Sequence, residues 1–313
     1  MRNVYYIVTL FTVFLSTNIQ ANNTDEVTHI TWLQSDTPPF HLPKTEDAPT
    51  GGLCDYLVEQ LINELPNITH TRLIVPQKRI GKYLDEGQTA CFPCMIHRQK
   101  KTTRATYSIP TTVYPPFAII TTEQNATLIS QRHSSPVNLV KLLTDDNFVF
   151  GQSAARKFTP ALNTITRNTK SYENASLSWN SDNESSAVIN RINHGYIDYT
   201  IDYPFLADYF NRFTPLTNVV TLPITNHQDN LVLGAVGCSS HAANNFADNA
   251  LRQINQVLQQ SILSSEQYQI SQRQWLAATF PDFNMHYQQL ILNFNSPTSV
   301  VPAIVQNPDK AER

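Results

Sequence analysis

The chain has 313 residues, of which 41% are hydrophobic and 15% charged, with a formal net charge of −3. That length allows two domains with real cores, and the charge balance excludes both a strongly basic nucleic-acid binder and an acidic disordered tail. The 8 glycines are too few for a collagen-like or glycine-linker chain, while the 19 prolines point to many bounded loops.

Arg2 opens the chain with a positive charge, and Val4 to Leu15 is apolar except for Thr9 and Thr12. Ser16, Thr17 and Asn18 then lead to the small residue Ala21. This pattern predicts a cleaved secretory signal over residues 1–21, because the run falls short of the roughly 20 apolar residues that span a bilayer. The mature chain is expected to be soluble and periplasmic.

Beyond it, strand and helix patterns alternate. Thr28 to Leu33 reads as a strand with Ile30 and Trp32 on one face, and Thr37-Pro38-Pro39-Phe40 breaks it into a loop. After Gly51-Gly52, the residues Leu53, Tyr56, Leu57, Leu61 and Leu65 recur at helical spacing. Thr71 to Val75 reads as a strand, Ile80 to Leu84 as a short helix ending near Gly87, and Ala90 to Ile96 as a strand. A β-α-β-α-β order implies a parallel sheet covered by helices.

The alternation resumes with a helix at Leu139, Leu142 and Leu143, a buried strand at Phe148 to Gly151, a helix from Ser186 to Asn193 and a strand from Tyr196 to Ile201. Further strands are expected at Val219 to Ile224 and Leu231 to Val236. A long amphipathic helix from about Ala242 and a shorter one carrying Tyr268, Ile270 and Trp275 complete the pattern, which weakens beyond Pro281. Asn307 to Arg313 reads as a frayed tail.

Four cysteines, Cys54, Cys91, Cys94 and Cys238, suit disulfides in an exported chain and allow three full pairings. Cys91-Phe92-Pro93-Cys94 has redox-motif spacing, but a basic loop from Arg98 to Arg104 follows it where a helix should open. At least one structural bridge is therefore expected. No second cysteine pair or His-x-x-x-His accompanies it, and His97 alone is a poor zinc ligand. No metal or cofactor is expected.

Several segments in order resemble the family 3 periplasmic solute-binding proteins, the amino-acid-binding subunits of ABC importers. They are Pro38-Pro39-Phe40, Gly52-x-x-Asp55, a basic stretch ending in Tyr107-Ser108-Ile109-Pro110, and Gly195-Tyr196-Ile197-Asp198-Tyr199-Thr200-Ile201-Asp202. Tyr268 and Gln274-Trp275-Leu276 fit the ending. With Gly-x-Cys-Asp at the first helix and a further cysteine late in the first lobe, the chain looks closest to a cysteine-containing branch. The resemblance implies a type II two-lobe α/β fold with two crossover strands. Lobe one would take 27–115 and 228–285, lobe two 116–227, and 286–313 would be a C-terminal extension.

The same resemblance assigns roles in the cleft. Asp202 would hold the ammonium of a ligand, while Asp198 is structural. One of Arg98, Lys101 and Arg104 would clamp the ligand carboxylate, where the family has an arginine at the Lys101 position. Phe40 would wall the cleft. Thr37 stands where a stacking aromatic is usual, leaving Trp32 or Arg79 to compensate. In the second lobe Arg156-Lys157 replaces the usual hydroxyl pair of an anion-binding loop, at an expected helix N-terminus whose dipole a basic pair opposes. An anionic ligand touching Arg156 accounts for it.

The resulting expectation is a monomeric binding protein for a small polar solute, amino-acid-like or anionic, that closes by a hinge and delivers ligand to an inner-membrane permease or receptor. It carries no catalytic residues and binds no nucleic acid. The alternatives are an enzyme on the same fold, a dehydratase of a cyclic carboxylate with a general acid such as Glu173, and a sensor input protein.

Overall fold

The computed structural model describes residues 26–153, 155–167, 183–225 and 230–294. The signal segment and Ala21, the candidate acid Glu173 and the tail 307–313 lie outside the described residues. Among the described residues no helix is long and apolar enough to cross a membrane.

The first lobe contains β1 (His29–Ser35), α1 (Asp55–Glu64), β2 (Thr69–Val75), α2 (Gln77–Asp85), β3 (Ala90–Ile96), β4 (Ala105–Tyr107) and β5 (Thr112–Tyr114). The second contains β6 (Ala118–Thr122), α3 (Glu123–His133), α4 (Leu139–Leu143), α5 (Pro160–Arg167), α6 (Glu184–Asn193), β7 (Tyr199–Asp202), α7 (Pro204–Phe213) and β8 (Val219–Pro223). The chain then returns to the first lobe as β9 (Val232–Ser239), α8 (Phe246–Val257), α9 (Glu266–Leu276) and α10 (Phe283–Tyr287).

The strand order is β2-β1-β3-β9-β4 in the first sheet, with β5 also on β9, and β7-β6-β8 in the second. The chain crosses between the sheets twice, after Tyr114 and after Pro223. The first sheet is parallel across β2, β1 and β3, as the alternation of elements demands, but the returning β9 runs antiparallel to β3, β4 and β5. β9 occupies the centre, and every residue in it is buried. The helix α10 continues into a wider helical turn, Gln288–Leu292, whose Leu290 and Ile291 are buried, and Tyr287 donates to Leu263 O at 2.9 Å. The boundary expected at 285 thus falls inside a helix that packs on lobe one.

Both cysteine pairs are bridged: Cys91 to Cys238 and Cys54 to Cys94. The CxxC spacing does not make a loop motif. Cys91 and Cys94 both sit in β3, where the first faces Cys238 on β9 and the second reaches Cys54 at the start of α1.

The loop carrying Phe40 is fastened to α1. Leu53 N donates to Pro39 O at 2.8 Å and Cys54 N to Phe40 O at 2.9 Å. The approach requires a glycine, because a Cβ on Gly52 would lie 2.6 Å from Phe40 O. Gly52→Ala is therefore expected to cost about 1–3 kcal/mol, since the obstructing atom is backbone. Urea unfolding checks this, and Gly52→Ala with an unchanged midpoint would show that the loop can move away.

Three elements differ from expectation, the strand placed at Tyr196 to Ile201 being Tyr199–Asp202. Phe148 to Gly151 forms no strand; only Phe150 bridges to Tyr199, while Gly151 packs on Ile197. The long return helix starts at Phe246 rather than Ala242, after Asn244 and Asn245, whose φ values are +58° and +51°.

Candidate functional site

A cleft of about 750 Å³ opens between the lobes. Its first-lobe wall is built by the Thr37–Phe40 loop, α2, the end of β3 and the loop from Arg98 to Arg104. The second-lobe wall is the segment from Ala155 to Phe158 with Asn163 and Tyr203. Among the charged residues of the lining, cations outnumber acids: Lys78, Lys82, Arg98, Arg104, Arg156 and Lys157 against Asp85. A cleft with this excess of positive charge draws anions.

One end of the cleft is aromatic. Phe40 meets Phe205 edge-on at 5.5 Å, and Tyr203 stacks on Phe205 at 5.1 Å and on Phe117 at 4.3 Å. Tyr114, at the end of β5, closes the cluster 5.2 Å from Tyr203. These rings join residues of both lobes where the chain crosses: Phe40, Tyr114 and Tyr203 form an aromatic floor to the cleft, and the buried Phe117 and Phe205 back it. Sequence reasoning identified only Phe40 among them. The signal for the others was Tyr114-Pro115-Pro116-Phe117 and Tyr203-Pro204-Phe205, aromatics held apart by proline at the lobe junction.

Arg156 lies against this floor. Its guanidinium carbon is 4.8 Å from the Tyr203 ring centroid and 5.1 Å from that of Phe117, a cation–π arrangement. Its Nη2 donates to Asp202 Oδ1, and Tyr203 N donates to the same oxygen at 2.7 Å. The two residues expected to hold opposite charges of a ligand are thus paired with each other. Burial pushes the Asp202 carboxyl above its ordinary value, against the opposing pull of the Arg156 charge and the Tyr203 N–H. Asp202 is not among the residues that line the cleft; Arg156 is. The helix α5 begins only at Pro160, so Arg156 and Lys157 lie in the loop before it and oppose no dipole.

The remaining candidates divide. Phe40, Arg98 and Arg104 line the cleft. Arg104 grips Asp85 through Nε at 2.8 Å and Nη2 at 2.7 Å, which holds it at the rim. Lys101 and Arg79 are exposed and absent from the lining, and Trp32 is fully buried with its Nε1 donating to His70 at 3.1 Å. Trp32 is core, and neither it nor Arg79 supplies the missing aromatic. Asp198 accepts from Val149 N at 2.7 Å and Asn125 Nδ2 at 3.0 Å, which ties β7 to its neighbours.

Beneath the first-lobe wall, Asp55 organises the Phe40 loop. Its carboxylate accepts from Gln34 Nε2 (2.6 Å), His41 Nδ1 (2.8 Å), Leu42 N (2.7 Å) and Gly52 N (2.8 Å). Burial alone would raise this carboxyl. The hydrogen bond and charge of His41 and the two backbone donors outweigh it and hold the group below 3.8. A ring nitrogen of His41 and the sulfurs of Cys54 and Cys94 lie within 4.8 Å of one another. The sulfurs are committed to their disulfide, so the cluster offers a metal a single nitrogen donor.

Glu184 is a buried carboxyl that burial raises, and it accepts from Ser153 Oγ. It does not line the cleft, so it is not placed to protonate a molecule bound there.

No protein-family model matches the chain, and no curated protein sequence does. Solved structures do. A histidine kinase sensor domain with similarity to periplasmic binding proteins is 14% identical, with a TM-score of 0.59 over 80% of this chain and 96% of that one. A substrate-binding protein of an ABC uptake transporter from Streptococcus pneumoniae, with bound histidine, is 12% identical, with a TM-score of 0.57 over 79% and 91%. An ancestral amino-acid-binding protein, precursor of cyclohexadienyl dehydratase, is 15% identical, with a TM-score of 0.56 over 80% and 95%. At these identities the likeness is one of fold: the chain has the two-lobe α/β fold of periplasmic binding proteins.

Proposed function

We propose that the protein binds a small organic anion in the cleft between its lobes and carries it without chemistry to a membrane partner, a permease or a receptor. The cationic lining beside an aromatic floor supports this reading most directly. Arginine and lysine supply the charge and hydrogen bonds that replace water around an anion, and the rings cover its apolar part. Residues on both walls contribute, so a ligand that touches both favours the closed arrangement of the lobes.

Export fits this reading. The apolar run from Val4 to Leu15, with Ala21 behind it, would direct the chain to the periplasm, and both disulfides suit an oxidising compartment. The lobes would be 27–115 with 228–285, and 116–227, with the chain acting as a monomer.

A thermal-shift screen of carboxylates, phosphate and sulfate tests the proposal. A ligand at a hundredfold excess over its Kd stabilises by about 2.7 kcal/mol, a rise of about 4–6 °C for a chain of this size. Recovery of the ligand unchanged after prolonged incubation separates binding from turnover. If no anion raises the melting temperature, or if the bound compound is converted, the proposal fails.

A further inference from the structure

Resting on that reading of the cleft, we propose that the ligand is a carboxylate without an amino group, because Arg156 of the protein already occupies the place at Asp202 that a ligand's ammonium would need. The Arg156–Asp202 contact lies wholly within the second lobe, so it does not wait for the lobes to close. The Asp202 oxygen that Arg156 reaches also accepts the Tyr203 N–H, and the guanidinium is further held over the Tyr203 and Phe117 rings. An incoming ammonium would have to displace a planar, always-charged group from all three.

Among the described residues that line the cleft, Asp85 is the acid. Asp85 is held by two donors on one edge of the Arg104 guanidinium, Nε and Nη2, and stands half-exposed at the rim. A ligand ammonium carried to the floor would lose its water and face Lys78, Arg98 and Lys157 among the described lining residues, with the Glu184 carboxyl behind them set against the charge of Lys78.

The floor does offer donors. Arg156 Nε and the Tyr114 hydroxyl are buried, make no hydrogen bond, and belong to residues that line the cleft. Burial keeps the Tyr114 phenol protonated far above neutral pH, so it donates. Two unfilled donors beside a cationic wall suit an oxyanion: each would gain an acceptor when a carboxylate enters.

The test is calorimetric titration of matched pairs that differ by the amine: glutamate and glutarate, aspartate and succinate, phenylalanine and 3-phenylpropionate, alanine and propionate. In any pair that binds, the amine-free acid is expected to bind at least about tenfold tighter, since the amine brings an unpaired charge. An amino acid that binds tighter than its partner overturns the inference and leaves the binding proposal standing. A panel in which no acid of either kind binds, after a blank anion screen, overturns both. A second measurement needs no ligand. Arg156→Met and Asp202→Asn are each expected to lower the melting temperature of the free protein, and the double variant is expected to melt no lower than the worse single one. Additive losses would show that the pair does not exist in the free protein and would overturn the inference.

Discussion

Cys91→Ala/Cys238→Ala protein is expected to lose about 4–5 kcal/mol of unfolding free energy. The bridge joins residues 147 apart in sequence, across the directly opposed pair of β3 and β9. In the chain-entropy model the cost of leaving so long a loop open is near the top of the range for any single disulfide. Alanine avoids burying a hydroxyl where both sulfurs are fully buried. The Cys54–Cys94 bridge closes a separation of 40, so its removal by the same substitution is expected to cost about 1 kcal/mol less. Guanidinium unfolding of the two double variants gives both numbers, and thiol titration of denatured, unreduced wild type should find no free sulfhydryl. Equal stability of all three proteins would show that strand pairing alone holds β9 in the sheet.

Asp55→Ala is the second large effect, with an expected loss of about 3–5 kcal/mol. The side chain is buried, and four donors from Gln34, His41, Leu42 and Gly52 converge on it. Its removal orphans them in a place water does not reach, and their desolvation is no longer offset. Asp55→Asn, which keeps one acceptor oxygen, should lose less. The carboxyl sits below its ordinary 3.8 in the folded state. The stability it contributes is therefore fully present at neutral pH and is lost as pH falls from about 4 downward through the folded value. Wild type should lose stability more steeply with acid than Asp55→Asn does. Parallel acid titrations of the two would mean that the carboxylate is not ionised in its pocket.

The order of elements was legible because its signals are local. Helical spacing marked α1 at Leu57 and Leu61, and uninterrupted apolar residues marked β9. The helix α3 was not, because only Ala126 and Ile129 in it are buried and the rest reads as polar loop. The strands β4 and β5 are three residues each and exist only through pairing with β9, which no local pattern reveals. The same division holds at the cleft. The family resemblance named the candidates Phe40, Arg79, Arg98, Lys101, Arg104, Arg156 and Asp202. That Arg156 and Asp202 meet each other depends on folding the 155–158 segment over the end of β7, a contact across 46 positions. A guanidinium and a carboxylate look alike in sequence whether they serve a ligand or each other.

The cationic cleft is the place where an anion is expected to bind. Calorimetric titration of the anion that gives the largest thermal shift, against wild type, Arg98→Ala and Arg156→Met/Asp202→Asn, tests it most directly. Arg98 is half-exposed, and the double variant removes both members of the pair, so neither leaves a buried charge unpartnered. Affinity is expected to fall by about tenfold or more in Arg98→Ala and further in the double variant, as charge-assisted hydrogen bonds are lost while folding is retained. Wild-type affinity in both folded variants would place the anion elsewhere and contradict the account.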